Sequence, residues 1–322
     1  MELHNDRGTF EEAIRATAQH LSLPMIYVEK DYWVTLALKA LANSDISNTI
    51  VFKGGTSLSK AYGLISRFSE DVDIAVFTDS LTKTQVKKMV KKACNVLPEC
   101  FVEIDSPDTK KNSDFRKVRF QYPQLDEESE PQGQITNSLL LEVNAFADPE
   151  PHNMRQISSY IADFLASIGN LEVIKQYALE PFEMKVLCTS RTLCEKIMGM
   201  VKASYGDNHI NDINNKIRHL YDIHFLMNDE FTKGFLLSDG FAAMANKVIE
   251  SDRSTFPSVP WFDQPLAQAI VFSNLESIWG QLEVTYNGDF KRMVVGDALP
   301  SPESLFATTK LIFGQLTAFD RK

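Results

Sequence analysis

The segment Phe52 to Ile74, FKGGTSLSKAYGLISRFSEDVDI, constrains this chain more than any other stretch. Thr49 to Lys53 predicts a short strand, Gly54 and Gly55 a turn, Leu58 to Leu64 a helix and Val72 to Phe77 a second strand. A strand, a glycine turn, a helix and a strand in that order frame a phosphate site. The paired glycines let the backbone approach a phosphate, and the start of the following helix offers unsatisfied amides. Thr56 and Ser57 add hydroxyls, and Lys53, Lys60 and Arg67 are nearby cations.

Asp71 and Asp73 are two residues apart on the second strand, so their carboxylates leave one face while Val72 and Ile74 point into the core. Hard divalent cations prefer such oxygen donors and keep bound water while meeting substrate phosphates. Glu142 is the candidate third acid. It interrupts the apolar strand expected over Leu139 to Phe146, where a lone carboxylate is costly to bury without a cation, and Asn144 falls on its face. Three carboxylates holding two Mg²⁺ or Mn²⁺ ions suit an in-line phosphoryl displacement, of which nucleotidyl transfer is one.

Around this motif, Thr9 with Glu12 reads as a capping box opening a helix toward His20, and Pro24 opens a second helix through Ala42. A lysine-rich helix is expected from Thr82 to Leu97. Strands follow at Cys100 to Ile104, Arg116 to Tyr122 and Leu139 to Phe146, giving a mixed sheet of about five strands. Asp126 to Gln134 reads as an acidic surface loop. Beyond Ser190 helices take over: Thr192 to Ala203, Asp212 to Met227, Asp239 to Glu250, Pro265 to Tyr286, and Pro302 to Phe319 behind the Ser301 cap. The chain is therefore read as α+β, with a mixed-sheet domain and flanking helices in residues 1–187 and an α-helical domain in 188–322.

The net charge of −10 argues against a surface coated for nucleic acid, so any such contact is local. Between Lys83 and Arg119 ten basic residues stand against five acidic ones. Lys83, Lys87 and Lys91 recur every fourth residue, as do Lys88 and Lys92, which makes that helix the candidate RNA surface. Cys94, Cys100, Cys188 and Cys194 match no zinc or redox spacing and read as reduced thiols. No apolar run nears the roughly 18 residues that span a bilayer, nor is a signal segment evident, so a cytoplasmic protein with no membrane partner is expected.

The glycine turn, paired aspartates and later acid resemble the nucleotidyltransferase superfamily that includes DNA polymerase beta. More closely, the chain resembles the AbiEii/AbiGii toxin family, the toxin half of abortive-infection toxin–antitoxin pairs. The resemblance is carried by Glu29-Lys30-Asp31-Tyr32-Trp33-Val34, the Phe52 to Ile74 segment, LLLEVNAF, RTLCEKIMGM and RHLYDIHFL. It implies the nucleotidyltransferase fold, with the helical domain closing the nucleotide cleft. It further implies that Lys196 contacts nucleotide phosphates, that Asp222 is a catalytic acid, and that a cognate antitoxin exists. Read from periodicity alone, Arg218 and Asp222 share a helix face as an ion pair at i, i+4. Tyr32 and Trp33 read as packing, without chemistry.

The leading expectation is thus metal-dependent transfer from an NTP to an RNA 3′ hydroxyl, with tRNA as the acceptor the resemblance suggests and phage defence as the setting. In it Asp71, Asp73 and Glu142 hold the metal, Gly54, Gly55, Thr56 and Ser57 seat the triphosphate, and Lys196 screens its charge. Two alternatives keep the scaffold. One transfers the group to a protein hydroxyl, with Thr56, Ser57 and Ser69 close by; the other is a non-catalytic NTP-binding module.

Overall fold

In the computed structural model, which describes residues 1–69, 71–79, 81–125, 138–255 and 260–321, the chain divides into two compact units. The first comprises Met1–Tyr62 and Phe68–Leu187, the second Gly63–Arg67 and Cys188–Lys322. The loop expected at Asp126 to Gln134 lies outside the described residues.

The first unit opens with α1 (Arg7–Leu21) and α2 (Met25–Ala42). The helix α1 starts earlier than its Thr9 signal, because Asp6 is the N-cap and accepts from the Thr9 amide at 3.3 Å. Then come β1 (Ile50–Lys53), α3 (Gly54–Lys60), β2 (Asp71–Val76), α4 (Lys83–Asn95), β3 (Val102–Ile104), β4 (Lys110–Lys111), β5 (Phe115–Gln121), β6 (Ser138–Asn144), β7 (His152–Ile157), α5 (Tyr160–Ser167), α6 (Leu171–Gln176) and β8 (Phe182–Leu187). The strands form one sheet in the order β3-β5-β6-β2-β1-β8-β7, with β4 pairing β5 off that path. It is mixed: β2 runs antiparallel to β1 but parallel to β6, and β1 is parallel to β8.

Eight strands occur among the described residues where the sequence predicts about five. One addition, β7, reads HNMRQI and exposes four consecutive residues, so it lacks the apolar alternation that marks a strand. Pairing with β8 makes it a strand nonetheless. Phe52, Val72, Ile74, Leu139, Leu141 and Val143 are fully buried, and Trp33 joins their cluster while stacking on Tyr122. These residues fix the central strands and hence the site's edge.

The second unit is helical: α7 (Thr189–Ser204), α8 (His209–Asn214), α9 (Ile217–Asn228), α10 (Glu230–Leu236), α11 (Asp239–Thr255), α12 (Ile270–Ser273), α13 (Leu275–Thr285) and α14 (Pro302–Asp320). Two helices expected to be continuous are broken at asparagines. Asn215 ends α8 before α9 starts, and the Asn274 side chain caps α13 by accepting from the Ser277 amide. Ser301 caps α14 through the Ser304 amide, as its Ser-Pro start indicates. All four cysteines are free thiols, and burial pushes Cys94 up to about 11 and Cys194 to about 12, which leaves them protonated and inert.

Candidate active site

Strand register assembles a row of charge across the first unit. Lys53 on β1 pairs with Asp73 on β2, Asp73 with Glu142 on β6, and Glu142 with Lys117 on β5. Residues opposite one another in a ladder project to the same face, so two acids stand between two lysines. Asp71, Asp73 and Glu142 are half-buried, whereas Val72 and Ile74 on the opposite face are sealed. Glu142 is the single residue of β6 that is not buried.

Glu142 has a partner that its own strand does not reveal. Lys117 Nζ lies 2.8 Å from Glu142 Oε1 and 3.7 Å from Asp108 Oδ2. Burial works against the Lys117 charge, but Glu142, Asp108 and Asp71 outweigh it and hold the ammonium above its ordinary range. Among the described residues no three His, Cys, Asp or Glu side chains gather closely enough to hold a metal ion. Asp71 and Asp73 fit a hard divalent cation by donor type and shared face, while Glu142 is drawn to an ammonium. Asn144 is not directed to that edge, because its Oδ1 accepts from the Ala147 amide.

The glycine turn presses on this edge. Gly54 has φ of +82°, and a Cβ there would come within 2.0 Å of Asp73 Oδ2. Glycine is required twice over, by the left-handed backbone and by the carboxylate against it. The helix α3 begins at Gly54, four residues before the expected start. Thr56 Oγ1 donates to the Asp71 carbonyl at 2.5 Å and lies 2.9 Å from Ser69 Oγ, while Ser57 Oγ donates to the Gly54 carbonyl at 2.8 Å. Both hydroxyls are buried. Their protons brace the turn and β2, which leaves the backbone amides as the turn's available donors.

The Glu29–Trp33 segment contributes more than aromatic packing. Glu29 Oε1 accepts from the Leu125 amide at 2.9 Å, and Lys30 donates to the Ser138 carbonyl at the head of β6. Asp31 forms a buried ion pair with Lys60 at 2.5 Å and accepts from the Tyr160 amide at 2.8 Å. One helix thus holds both the far end of α3 and the start of the Glu142 strand. Burial raises the Asp31 pKa despite Lys60.

In the second unit Asp222 is fully buried and bound by two cations. Arg67 reaches it through Nε to Oδ1 at 2.6 Å and Nη2 to Oδ2 at 2.7 Å, and Lys196 Nζ meets Oδ2 at 2.7 Å. This replaces the expected pairing of Asp222 with Arg218. Burial alone would raise the Asp222 pKa, but the charges and hydrogen bonds of Arg67 and Lys196 override it and hold the group well below the carboxylate range. Arg67 is anchored further by a bridge to Val294, and the Ser66 amide donates to Tyr221 at 3.2 Å. Sequence reasoning left the role of Arg67 open, since its partner lies 155 residues away.

The lysine helix forms as expected over Lys83–Asn95, with a Thr82–Gln85 capping box. Lys83, Lys87, Lys88 and Lys91 are exposed, Lys92 is exposed and pairs with Asp45, and Val90, Ala93 and Cys94 face the core.

Comparison with known proteins places this geometry in context. The family model described as nucleotidyl transferase AbiEii toxin, type IV toxin–antitoxin system, matches residues 36–308. No curated protein matches the sequence. Among solved structures, the nucleotidyltransferase toxin MenT4 of Mycobacterium tuberculosis is similar at a TM-score of 0.56 and 16% identity, over 94% of this chain and 89% of that one. JHP933 of Helicobacter pylori is similar at a TM-score of 0.46 and 17% identity, over 91% and 94% of the two chains. The likeness to MenT4 is one of fold.

Proposed function

The chain belongs to the AbiEii nucleotidyl transferase toxin family of type IV toxin–antitoxin systems, and we propose that it transfers a nucleotide from an NTP to the 3′ hydroxyl of an RNA, with tRNA as acceptor. The observation that carries this reading is the close approach of Gly54 to Asp73, which sets a left-handed glycine turn directly against a carboxylate edge.

A divalent cation bound here, Mg²⁺ or Mn²⁺, would supply charge neutralisation for a leaving pyrophosphate and acidify an attacking hydroxyl. Asp71 and Asp73 are the residues we assign to hold it, with Glu142 as the third donor once released from Lys117. The amides of Gly54 to Ser57 cradle the triphosphate, and Thr56 and Ser57 keep that turn rigid. In the second unit Asp222 fixes the Lys196 ammonium, whose assigned partner is a nucleotide phosphate; Asp222 acts through Lys196, and it is a positioning residue in this scheme. The α4 lysines take the RNA backbone, a contact that positions the acceptor without reading its sequence.

Transfer to the chain's own Thr56 or Ser57 has the weaker footing, because both hydroxyls are buried and bonded to backbone. The proposal includes a cognate antitoxin and a cytoplasmic site of action. No helix among the described residues is long and apolar enough to cross a membrane.

The test is incubation with Mg²⁺, labelled NTPs and total tRNA. Label should enter RNA with the wild-type chain and not with Asp73→Ala. No incorporation by wild type, or equal incorporation by both, rejects the reading.

A further inference from the structure

A second candidate site lies wholly within the helical unit. The end of α7, the turn after it and the α8–α9 junction form an open pocket of about 470 Å³ whose lining includes Lys202, Tyr205, Asp207, Asp212 and Lys216. That volume falls in the roughly 300–1,000 Å³ range of small-molecule pockets.

Lys216 is the unusual member. Among the described residues its ammonium has no hydrogen-bond or ion-pair partner, although the side chain is half-buried. Burial and the neighbouring Lys202 and Lys196 ammonium groups depress its pKa more than Asp252 and Asp212 restore it. Lys202 itself lies 3.9 Å from Asp252, at the edge of ion-pair range. A folded chain that holds partly desolvated like charges together gains from an anion brought between them.

The lining narrows the ligand. An isolated phosphate suits Lys202 and Lys216 but is repelled by Asp207 and Asp212. A neutral sugar suits the acids but leaves Lys216 uncompensated. A phosphorylated ribose satisfies both, with the phosphate on the lysines and hydroxyls donating to the carboxylates, and the Tyr205 ring offers a face for a base. Asp212 is held close to the turn, since a Cβ on Gly206 would meet its Oδ2 at 2.0 Å.

We infer that this cavity binds a ribonucleotide unit, with Lys216 and Lys202 taking its phosphate and Asp207 and Asp212 its ribose hydroxyls. The unit is either a free ribonucleotide or one residue of an RNA chain. The inference does not depend on the transfer reaction proposed above.

Binding is measured in EDTA, which silences the metal edge, and in the Lys87→Ala, Lys91→Ala background, which weakens the RNA contact proposed for α4. Full-length protein is titrated by calorimetry with AMP, a short RNA, the DNA of the same sequence and inorganic phosphate. The expected result is binding of AMP or RNA that Lys216→Met weakens at least about tenfold, the scale of one charge-assisted contact, and that Gly314→Ala leaves unchanged. AMP binding identifies a free nucleotide as ligand, and RNA binding without AMP binding identifies a chain residue. Asp212→Asn should narrow the preference for RNA over DNA and serves as the second variant should Lys216→Met fail to fold. The inference is overturned if no ribonucleotide binds, if DNA or inorganic phosphate binds as well, or if both variants bind as wild type.

Discussion

Replacing Gly54 by alanine tests whether the glycine turn and the metal edge are one device. The backbone at φ of +82° penalises an L-side chain by about 1–2 kcal/mol. The added methyl would also lie 2.0 Å from Asp73 Oδ2, 2.9 Å from Cγ and 3.1 Å from Cβ. Rotating the carboxylate relieves the first contact but not the third, so β1 and β2 must also part where Lys53 faces Asp73. The backbone term alone corresponds to a fall in melting temperature of roughly 1.5–3 °C for a chain of this size. Displacement of Asp73 by about 1 Å should cost on the order of 10²-fold in nucleotide incorporation. Differential scanning fluorimetry, Mn²⁺ titration by electron paramagnetic resonance and the labelling assay read the three effects separately. Gly314→Ala is the control, because it sits inside α14 with open space at its Cβ and should be neutral or stabilising by up to about 1 kcal/mol. If Gly54→Ala melts with wild type and binds Mn²⁺ with unchanged affinity, the coupling of turn to carboxylate is wrong.

Other consequences are open to measurement. Asp222→Ala leaves Arg67 and Lys196 as buried, uncompensated charges and should lower stability by about 3–5 kcal/mol in denaturant titration, whereas a surface acid would give almost none. The folded-state pKa of Asp222 is depressed, so its contribution is complete above the unfolded carboxylate value near 3.8 and is lost as pH falls through the folded one. Wild-type melting should therefore drop more steeply below about pH 4 than that of Asp222→Asn, and parallel curves would contradict the assignment. Lys117→Met frees Glu142 and should tighten Mn²⁺ binding in the absence of nucleotide; weaker binding would show that Lys117 orients the acid. The Lys87→Ala, Lys91→Ala pair should reduce the slope of log affinity for RNA against log salt by about 2 while leaving NTP affinity unchanged.

The turn, helix and carboxylate strand of the first unit were legible because their signals are local. Glycines, a helix start and a DxD strand follow one another within one segment, and Glu142 stands out as the lone acid in an apolar strand. What could not be read depends on pairing across distance. Lys117 comes to Glu142 only through the β5–β6 register, and Arg67 reaches Asp222 across 155 residues. The i, i+4 rule offered Arg218 to Asp222, and two distant cations displaced it. Side-chain periodicity likewise missed β7, a polar edge strand, and overran the asparagines that break α8 from α9 and cap α13. Hydroxyls in the turn looked available because sequence shows their chemistry and not their protons' destinations; Thr56 and Ser57 spend theirs on main-chain carbonyls.

The acids of this chain divide by what compensates them, and that division bears on which can hold a cation. Asp222 is fully buried with both oxygens engaged by Arg67 and Lys196, so a metal would have to displace two existing charges. Asp31 is buried with one lysine and an amide, and desolvation pushes it toward its neutral form, a poor metal ligand. Asp71 and Asp73 are half-buried on one strand face beside Gly54, which is where the proposed scheme brings a cation. Glu142 lies between these cases, half-buried but paired to Lys117. An incoming cation must then compete with an ammonium for one oxygen only, and Glu142 becomes the donor whose engagement depends on what else has bound. On the proposed assignment Glu142 is the conditional ligand, and Mn²⁺ affinity should rise when an NTP adds phosphate oxygens to Asp71 and Asp73.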